Sequence, residues 1–280
     1  MIKADKYYID NLNQIIDEKN TDENPRAKYK DGVPAHSFFI TQVFEKYDLT
    51  KNEFPITTLR NTAIKTGIKE VQWIYQDQTS SLEDARARGV FWWDEWAIDE
   101  EKTTIGQRYG ATVKKWDLMN KLLKGLEADP FGRRHQINLL QESDLEEEGG
   151  LHPCAYGTLW TPRKKDGVFY LDVTLTQRSQ DSIMATYINK TQYVALQMMV
   201  AKHLGYEVGT FAHFIQNYHI YDRHIEACQE LLAREPLDFQ PYFKLNVPSG
   251  TNFYDIGLKD FEIVTSKEIK KIESELEIAV

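Results

Sequence analysis

The chain has 280 residues, 41% hydrophobic and 12% aromatic, enough to bury one large core. Its formal net charge of −9 opposes long-range attraction to a polyanion, so nucleic acid is an unlikely main ligand, although a few local arginines could still hold a small phosphate. No apolar run approaches the roughly 20 residues that span a bilayer, and the charged start Met1-Ile2-Lys3-Ala4-Asp5-Lys6 has no signal-peptide core, so a cytoplasmic protein is expected.

Residues 5–19 read as a first helix, with Tyr8, Leu12, Ile15 and Ile16 on one stripe. Residues 20–32 are polar and turn-rich, a loop. A strand is expected over 37–47. Helices follow over 62–75, with Glu70 inside an otherwise apolar face, over 82–88 and over 116–126, the last broken by Asp129-Pro130-Phe131-Gly132. The second half is richer in strands. These fall over 135–140, 154–160 and 168–179, with Lys165-Asp166-Gly167 as a hairpin turn. On the third of these strands Phe169, Leu171, Val173 and Leu175 share one face. Tyr170, Asp172, Thr174 and Thr176 share the other. A long amphipathic helix over 188–204 stops at Gly205. A strand over 208–221, a helix over 222–234 and closing strands over 242–247 and 261–265 complete the chain. Mixed strands and helices without a linker predict one α/β (α+β) domain spanning residues 1–280.

Two cysteines, Cys154 and Cys228, make no disulfide framework, and without a Cys-x-x-Cys pair or a metal-ligand cluster no metal is expected. Cys228, in a helical run, reads as a small buried hydrophobe. Cys154, after Pro153 at a strand start, reads as a nucleophile if a cation lowers its pKa. Arg178 is the candidate, because antiparallel pairing could bring the two together. Adjacent Arg133 and Arg134 are more often a solvated pair, yet guanidinium forks also clamp phosphate, and Arg26 could join them. Asn189, near a helix start, is either an N-cap or an amide that reads the O4/N3–H edge of uracil. His219 and Tyr221 share a strand face and could hold a sugar hydroxyl. Glu70 is either structurally paired or a proton shuttle with a raised pKa. Trp92-Trp93-Asp94-Glu95-Trp96 is a core patch or a wall that shields a reactive intermediate from water.

These residues carry a resemblance to the folate-dependent thymidylate synthases, bacterial type, from roughly Asp31 to Val280. The ordered markers are Phe54-Pro55-Ile56-Thr57-Thr58, Lys69-Glu70-Val71-Gln72-Trp73, Trp93-Asp94-Glu95-Trp96, Tyr109-Gly110, Asp129 to Arg134, Pro153-Cys154, Gln177-Arg178-Ser179, Asn189 and His219-Ile220-Tyr221. The resemblance implies a large mixed sheet flanked by helices, with two subunits stacked sheet on sheet as a homodimer. It also implies conversion of dUMP and 5,10-methylenetetrahydrofolate to dTMP and dihydrofolate.

In that scheme Cys154 attacks C6 of the uracil ring. Arg178, Ser179 and, from the other subunit, Arg133 and Arg134 hold the phosphate, with Arg26 as a further contact. Gln177 belongs to the substrate-binding set, Asn189 selects uracil, and His219 and Tyr221 take the 3′-hydroxyl. Glu70 and Tyr109 organise water for proton transfer, and Arg178 helps keep Cys154 ionised. Asp181, Trp93, Arg60, Ala279 and Val280 are assigned to the folate side, the last two in a closing tail whose Val280 carboxylate anchors it. The chain departs from the family pattern at Ala155, at Ala185-Thr186-Tyr187-Ile188, at Gln216-Asn217 and at Leu59. Two rivals stand beside this reading: a nucleotide hydroxymethylase of the same fold, disfavoured by Asn189, Trp93 and the tail, and a catalytically silent RNA-binding protein, disfavoured by the charge and the retained thiol.

Overall fold

The computed structural model describes residues 1–147 and 149–280. Helix α1, Lys3–Glu18, buries Tyr8, Leu12 and Ile15 and ends at Lys19 in the left-handed region. A two-residue strand β1, Asn20–Thr21, lies in the stretch expected to be loop; it is too short to carry a periodic signal. Strand β2 is Ser37–Asp48. Helix α2, Ile64–Gln72, continues into a π turn over Trp73–Asp77, and α3 is Leu82–Ala87. The helix expected over 116–126 is the second of two; the one before it, over 110–116, was not expected. Helix α4, Gly110–Trp116, and helix α5, Leu118–Ala128, are separated by Asp117 at φ 51°. Then come β3, Gln136–Asn138, the short α6, Glu142–Leu145, and the hairpin of β4, Ala155–Lys165, and β5, Val168–Gln177. Strand β6, Gln180–Asp181, precedes helix α7, Thr186–Leu204, strand β7, Glu207–Tyr221, and helix α8, Ile225–Leu232. Strands β8, Tyr242–Leu245, and β9, Phe261–Val264, form a separate small antiparallel sheet.

The main sheet runs β1-β2-β7-β5-β4-β3, with β6 beside β7. β7 is parallel to β5 and β6 but antiparallel to β2, so the sheet is mixed as expected. A parallel pair needs a long crossover, and α7 supplies it. The alternation read in β5 holds: Leu171, Val173 and Leu175 are buried while Asp172, Thr174 and Thr176 are half-buried. The buried face lies under the helices. On the opposite face Phe44 and Leu159 are more than half exposed, at 55% and 53%.

Helix α7 departs from the amphipathic pattern expected of it. It is buried continuously from Lys190 to Ala201, because the sheet lies on one side and α2 packs on another. A helix enclosed on most sides has no solvent stripe to keep polar. Its polar residues Lys190, Thr191, Gln192 and Gln197 are therefore buried and need partners.

Candidate active site

A cavity of about 300 Å³ opens where the C-terminal ends of β5 and β6, the start of α7, the π turn after α2 and the chain end converge. Its walls include Cys154, Glu70, Tyr109, Arg178, Asn189, His219 and Tyr221, residues far apart in sequence. Arg26, Gln177, Ser179, Asp181, Trp93 and Ala279 line it too. The arginines at 133 and 134 do not. They stand exposed beside a different cavity, with Lys121 and His135. Arg60 lines a third cavity, near Lys65 and Ile263, and is not part of this wall. Val280 sits beside the main cavity rather than in its wall.

Cys154 is half-buried just before β4. The predicted strand pairing brings Arg178 to it: Ala155 pairs with Gln177, and the Arg178 amide donates to the Cys154 carbonyl at 2.9 Å. The Arg178 guanidinium grips the loop before the thiol, Nε donating to the Pro153 carbonyl at 3.0 Å and Nη2 to the His152 carbonyl at 2.8 Å. Burial pushes the Cys154 thiol above its ordinary pKa, while the charges of Arg178 and Arg26 pull it down. Arg178 thus acts in the expected direction, and burial outweighs it. A second arginine steadies the same loop. Buried Arg108 donates to the Glu147 and Gly149 carbonyls at 2.6 and 2.7 Å.

Tyr109 meets the nucleophile from the other side, its hydroxyl accepting the Cys154 N–H at 3.3 Å. Its backbone is held at φ 48°, ψ −110°, a conformation that costs a non-glycine residue of order 1–3 kcal/mol. The next residue shows why Tyr109-Gly110 is a unit. A Cβ on Gly110 would lie 2.3 Å from the Thr79 carbonyl oxygen. The chain passes too closely here for any side chain but hydrogen.

Glu70 is buried on α2 and accepts a hydrogen bond from Trp92 Nε1 at 2.6 Å. Burial raises its pKa to about 7, with the indoles of Trp92 and Trp93 and the Gln192 amide opposing the shift. Among the alternatives read from sequence, this is a desolvated carboxyl rather than a salt-bridged one. Trp93 packs edge-on against Tyr109 at 4.8 Å and against Trp96 at 5.6 Å. The three tryptophans make one wall of the cavity.

Asn189 is the fourth residue of α7 and makes a regular helical bond to the Ala185 carbonyl, so the N-cap reading does not hold. Its side chain is set by three glutamines. Gln177 Nε2 and Gln180 Nε2 both donate to Asn189 Oδ1 at 3.3 Å, and Asn189 Nδ2 donates to Gln192 Oε1 at 3.0 Å. Sequence reasoning missed Gln180 and Gln192 as site residues. The available signal was helical spacing, since Gln192 follows Asn189 by three. Asp181 Oδ1 accepts the Ile183 and Met184 amides at 2.8 and 2.9 Å, shaping the turn into α7.

His219 and Tyr221 do share a face, their rings meeting edge-on at 5.0 Å. Burial lowers the His219 pKa and pushes Tyr221 up to about 12, so both are neutral near pH 7 and available as hydrogen-bond partners. His219 Nδ1 lies 2.9 Å from Asn217 Oδ1, the residue that stands where the family pattern has an aspartate.

The chain end is strapped down nearby. Lys28 and Val280 exchange two backbone hydrogen bonds, at 2.8 and 2.9 Å. Arg223 stacks over Tyr29 and bridges Asp31 at 2.7 Å and Glu277 at 2.6 Å. This places Ile278 and Ala279 in the cavity wall. Cys228 is fully buried with its thiol pushed up to about 12, as a packing residue should be. Among the described residues no group of three His, Cys, Asp or Glu side chains is arranged to hold a metal, and no helix is long and apolar enough to cross a membrane.

A family profile described as thymidylate synthase matches residues 6–278. Thymidylate synthase from Streptococcus pneumoniae (strain 70585) is 53% identical over 271 residues, covering 96% of this chain and 97% of that protein. The Streptococcus gordonii enzyme of the same name is 52% identical over an equal span. Among solved structures, thermostable thymidylate synthase A from Bacillus subtilis superposes with a TM-score of 0.87, at 32% identity and over 99% of both chains.

Proposed function

The chain belongs to the thymidylate synthase family, and from that premise we propose how its own residues carry the reductive methylation of dUMP by 5,10-methylenetetrahydrofolate, a methyltransferase reaction yielding dTMP and dihydrofolate. The observation that carries this reading is the convergence of Cys154, Arg178, Asn189 and Glu70 on one cavity.

Cys154 is the nucleophile. Its thiolate adds to C6 of the uracil ring, and the C5–C6 π electrons move toward C5, with negative charge delocalised onto O4. Arg178 takes the substrate phosphate and holds the loop that aims the sulfur, with Ser179 and Arg26 beside it. An incoming phosphate dianion also needs the remaining charge of Arg133 and Arg134, which stand away from this chain's own cavity and serve the partner of a homodimer. Asn189 reads the base: Oδ1 accepts N3–H and Nδ2 donates to O4. Gln177 orients that amide. His219 and Tyr221 take the 3′-hydroxyl. Glu70, with Tyr109, holds water at O4 and C5; a carboxyl with a pKa of about 7 can both give and accept a proton at neutral pH.

The folate supplies the one-carbon unit and then the hydride. The residues present fit a flat pterin: the Trp92, Trp93 and Trp96 wall and the Asp181 carboxylate. Ala279 and Val280 close the tail over it. Arg60 belongs with the outer part of the folate, beyond the cavity of this chain. The dry aromatic wall and the seated tail favour hydride transfer over addition of water, which separates this reaction from hydroxymethylation. A cytoplasmic location accords with these substrates.

The test mixes the protein with dUMP and methylenetetrahydrofolate, following dihydrofolate absorbance beside tritium release from 5-tritiated dUMP. Both signals together are expected. Tritium release without dihydrofolate would assign a hydroxymethylase, and silence in both would remove the enzymatic reading. Cys154→Ser should lower turnover by about 10⁴-fold or more.

A further inference from the structure

The mechanism above leaves one buried charged cluster unused. Glu45 on β2 and Lys190 on α7 are both fully buried, with Lys190 Nζ 2.5 Å from Glu45 Oε2. Glu45 also accepts from the Tyr47 hydroxyl at 2.6 Å and from Asn11 Nδ2 at 3.1 Å, and Lys190 stands over the Tyr187 ring. Burial lowers the Lys190 pKa and Glu45 opposes that shift. An ion pair this deep is weak support for stability, since apolar residues of similar volume often do as well. Its position supplies a different reason for it. Lys190 is the chain neighbour of Asn189, and Glu45 lies directly across the β2–β7 pairing from His213.

His213 is fully buried, and its Nε2 is 3.0 Å from Gln177 Oε1. The amide of Gln177 has only one workable orientation. Its nitrogen faces the Ser179 carbonyl at 2.8 Å, an acceptor, so its oxygen must face the histidine. His213 must therefore donate from Nε2. Burial, and then the charge of Lys190, push His213 well below its ordinary pKa, so the ring is neutral and carries one proton. That proton sits on Nε2, and Nδ1 is left a bare acceptor with no partner among the described residues. A cation on the Nδ1 side of the ring would favour this tautomer, because it attracts a lone pair and repels an N–H. With the other tautomer Gln177 would have to turn over, lose Ser179 and present oxygen to Asn189 Oδ1.

We propose that Lys190, locked by Glu45, stands on the Nδ1 side of His213 and is a positioning residue for base selection: through the tautomer of His213 it fixes the amide of Gln177, and through Gln177 the amide of Asn189. The inference rests on the assignment of Asn189 to the base. Lys190 touches no substrate. It is a fixed charge that removes one degree of freedom from a chain of amides leading to the pyrimidine edge.

Long-range ¹H–¹⁵N correlation of histidine-labelled protein, with His213 assigned by loss of its signals in His213→Leu, reads the tautomer directly. The wild type should show Nε2–H. The paired variant Glu45→Gln/Lys190→Met removes both charges and leaves neither one stranded. It should mix the tautomers, raise the KM for dUMP about tenfold with kcat changed far less, and narrow the preference for dUMP over dCMP by a similar factor. Should that pair not fold, His213→Leu carries the same kinetic expectation. Nδ1–H in the wild type overturns the proposal. So does a folded variant, paired or His213→Leu, with unchanged KM and unchanged base preference. Asn189→Asp run in parallel separates the two failures. If it leaves base preference unchanged, the reading of Asn189 falls; if it shifts the preference while the Lys190 and His213 variants do not, only the relay falls.

Discussion

Glu70 shows what one residue's surroundings decide. Its carboxyl ionises near pH 7 instead of in the ordinary range, because α2 carries it inside and indole donors replace only part of its hydration. The rate of the proton-transfer step should therefore have a limb near pH 7 that Glu70→Gln removes, together with about 10²–10⁴-fold of kcat. Linkage gives a second readout. The folded protein holds this proton above the unfolded pKa, so stability is fully present below about 4.5 and falls as pH rises toward 7. Glu70→Gln should flatten that part of the stability curve in denaturant titrations at a series of pH values. Cys154 follows the opposing pulls described for it. Its alkylation rate should rise with pH through an inflection above the ordinary thiol value, and Arg178→Ala should move the inflection further up. For the base, Asn189→Asp should shift the dCMP:dUMP preference by about a hundredfold, because a carboxyl that keeps its proton can donate to N3 of cytosine. Competition assays with the two nucleotides would show it.

Elements turn such residues toward each other, and here the reach of sequence reasoning is uneven for physical reasons. The pairing of Cys154 with Arg178 was legible because a hairpin fixes register from its turn outward. His219 and Tyr221 were legible because strand parity is strict. Helix α7 was misread as amphipathic because α2 covers the side away from the sheet, and pattern alone does not reveal a second layer. Burial on all of these sides brings Gln192 and Lys190 inside, where an amphipathic pattern gives polar residues no reason to be. Helix α4 was not legible because it is only seven residues long and stops at Asp117, whose φ of 51° is a backbone state its residue type permits without announcing. Position 110 makes the element-scale expectation concrete. Gly110→Ala drives a methyl into the Thr79 backbone and should cost about 3 kcal/mol or more, seen as a lower denaturant midpoint with unchanged slope. The strap around Arg223 predicts the contrary pattern. Arg223→Ala frees Glu277 and Asp31 at the surface and should raise the KM for folate several-fold while the melting temperature stays close to wild type.

At the scale of the whole molecule, the cavity is short of cations for its task. Arg178 is partly occupied with backbone carbonyls, and Arg133 and Arg134 point their charge at another region of surface. A homodimer resolves this if each copy lends its pair to the other. Mixing Arg133→Ala with Cys154→Ser, each inactive alone, should then restore up to about a quarter of wild-type activity, because random exchange leaves half of the dimers mixed, with one complete site in each. Native mass spectrometry of the mixture would confirm exchange, and no recovery after exchange would count against shared sites. The sheet face that carries Phe44 and Leu159 in the open is the surface that the proposed pairing would cover. Mass action then enters catalysis. Dilution below the dimer dissociation constant would uncover that face and withdraw the borrowed arginines in one step. Specific activity should fall with enzyme concentration, and the melting temperature should fall with it. A nanomolar assay and a micromolar one would then report different enzymes, and the amount of protein in the tube would act as its own regulator.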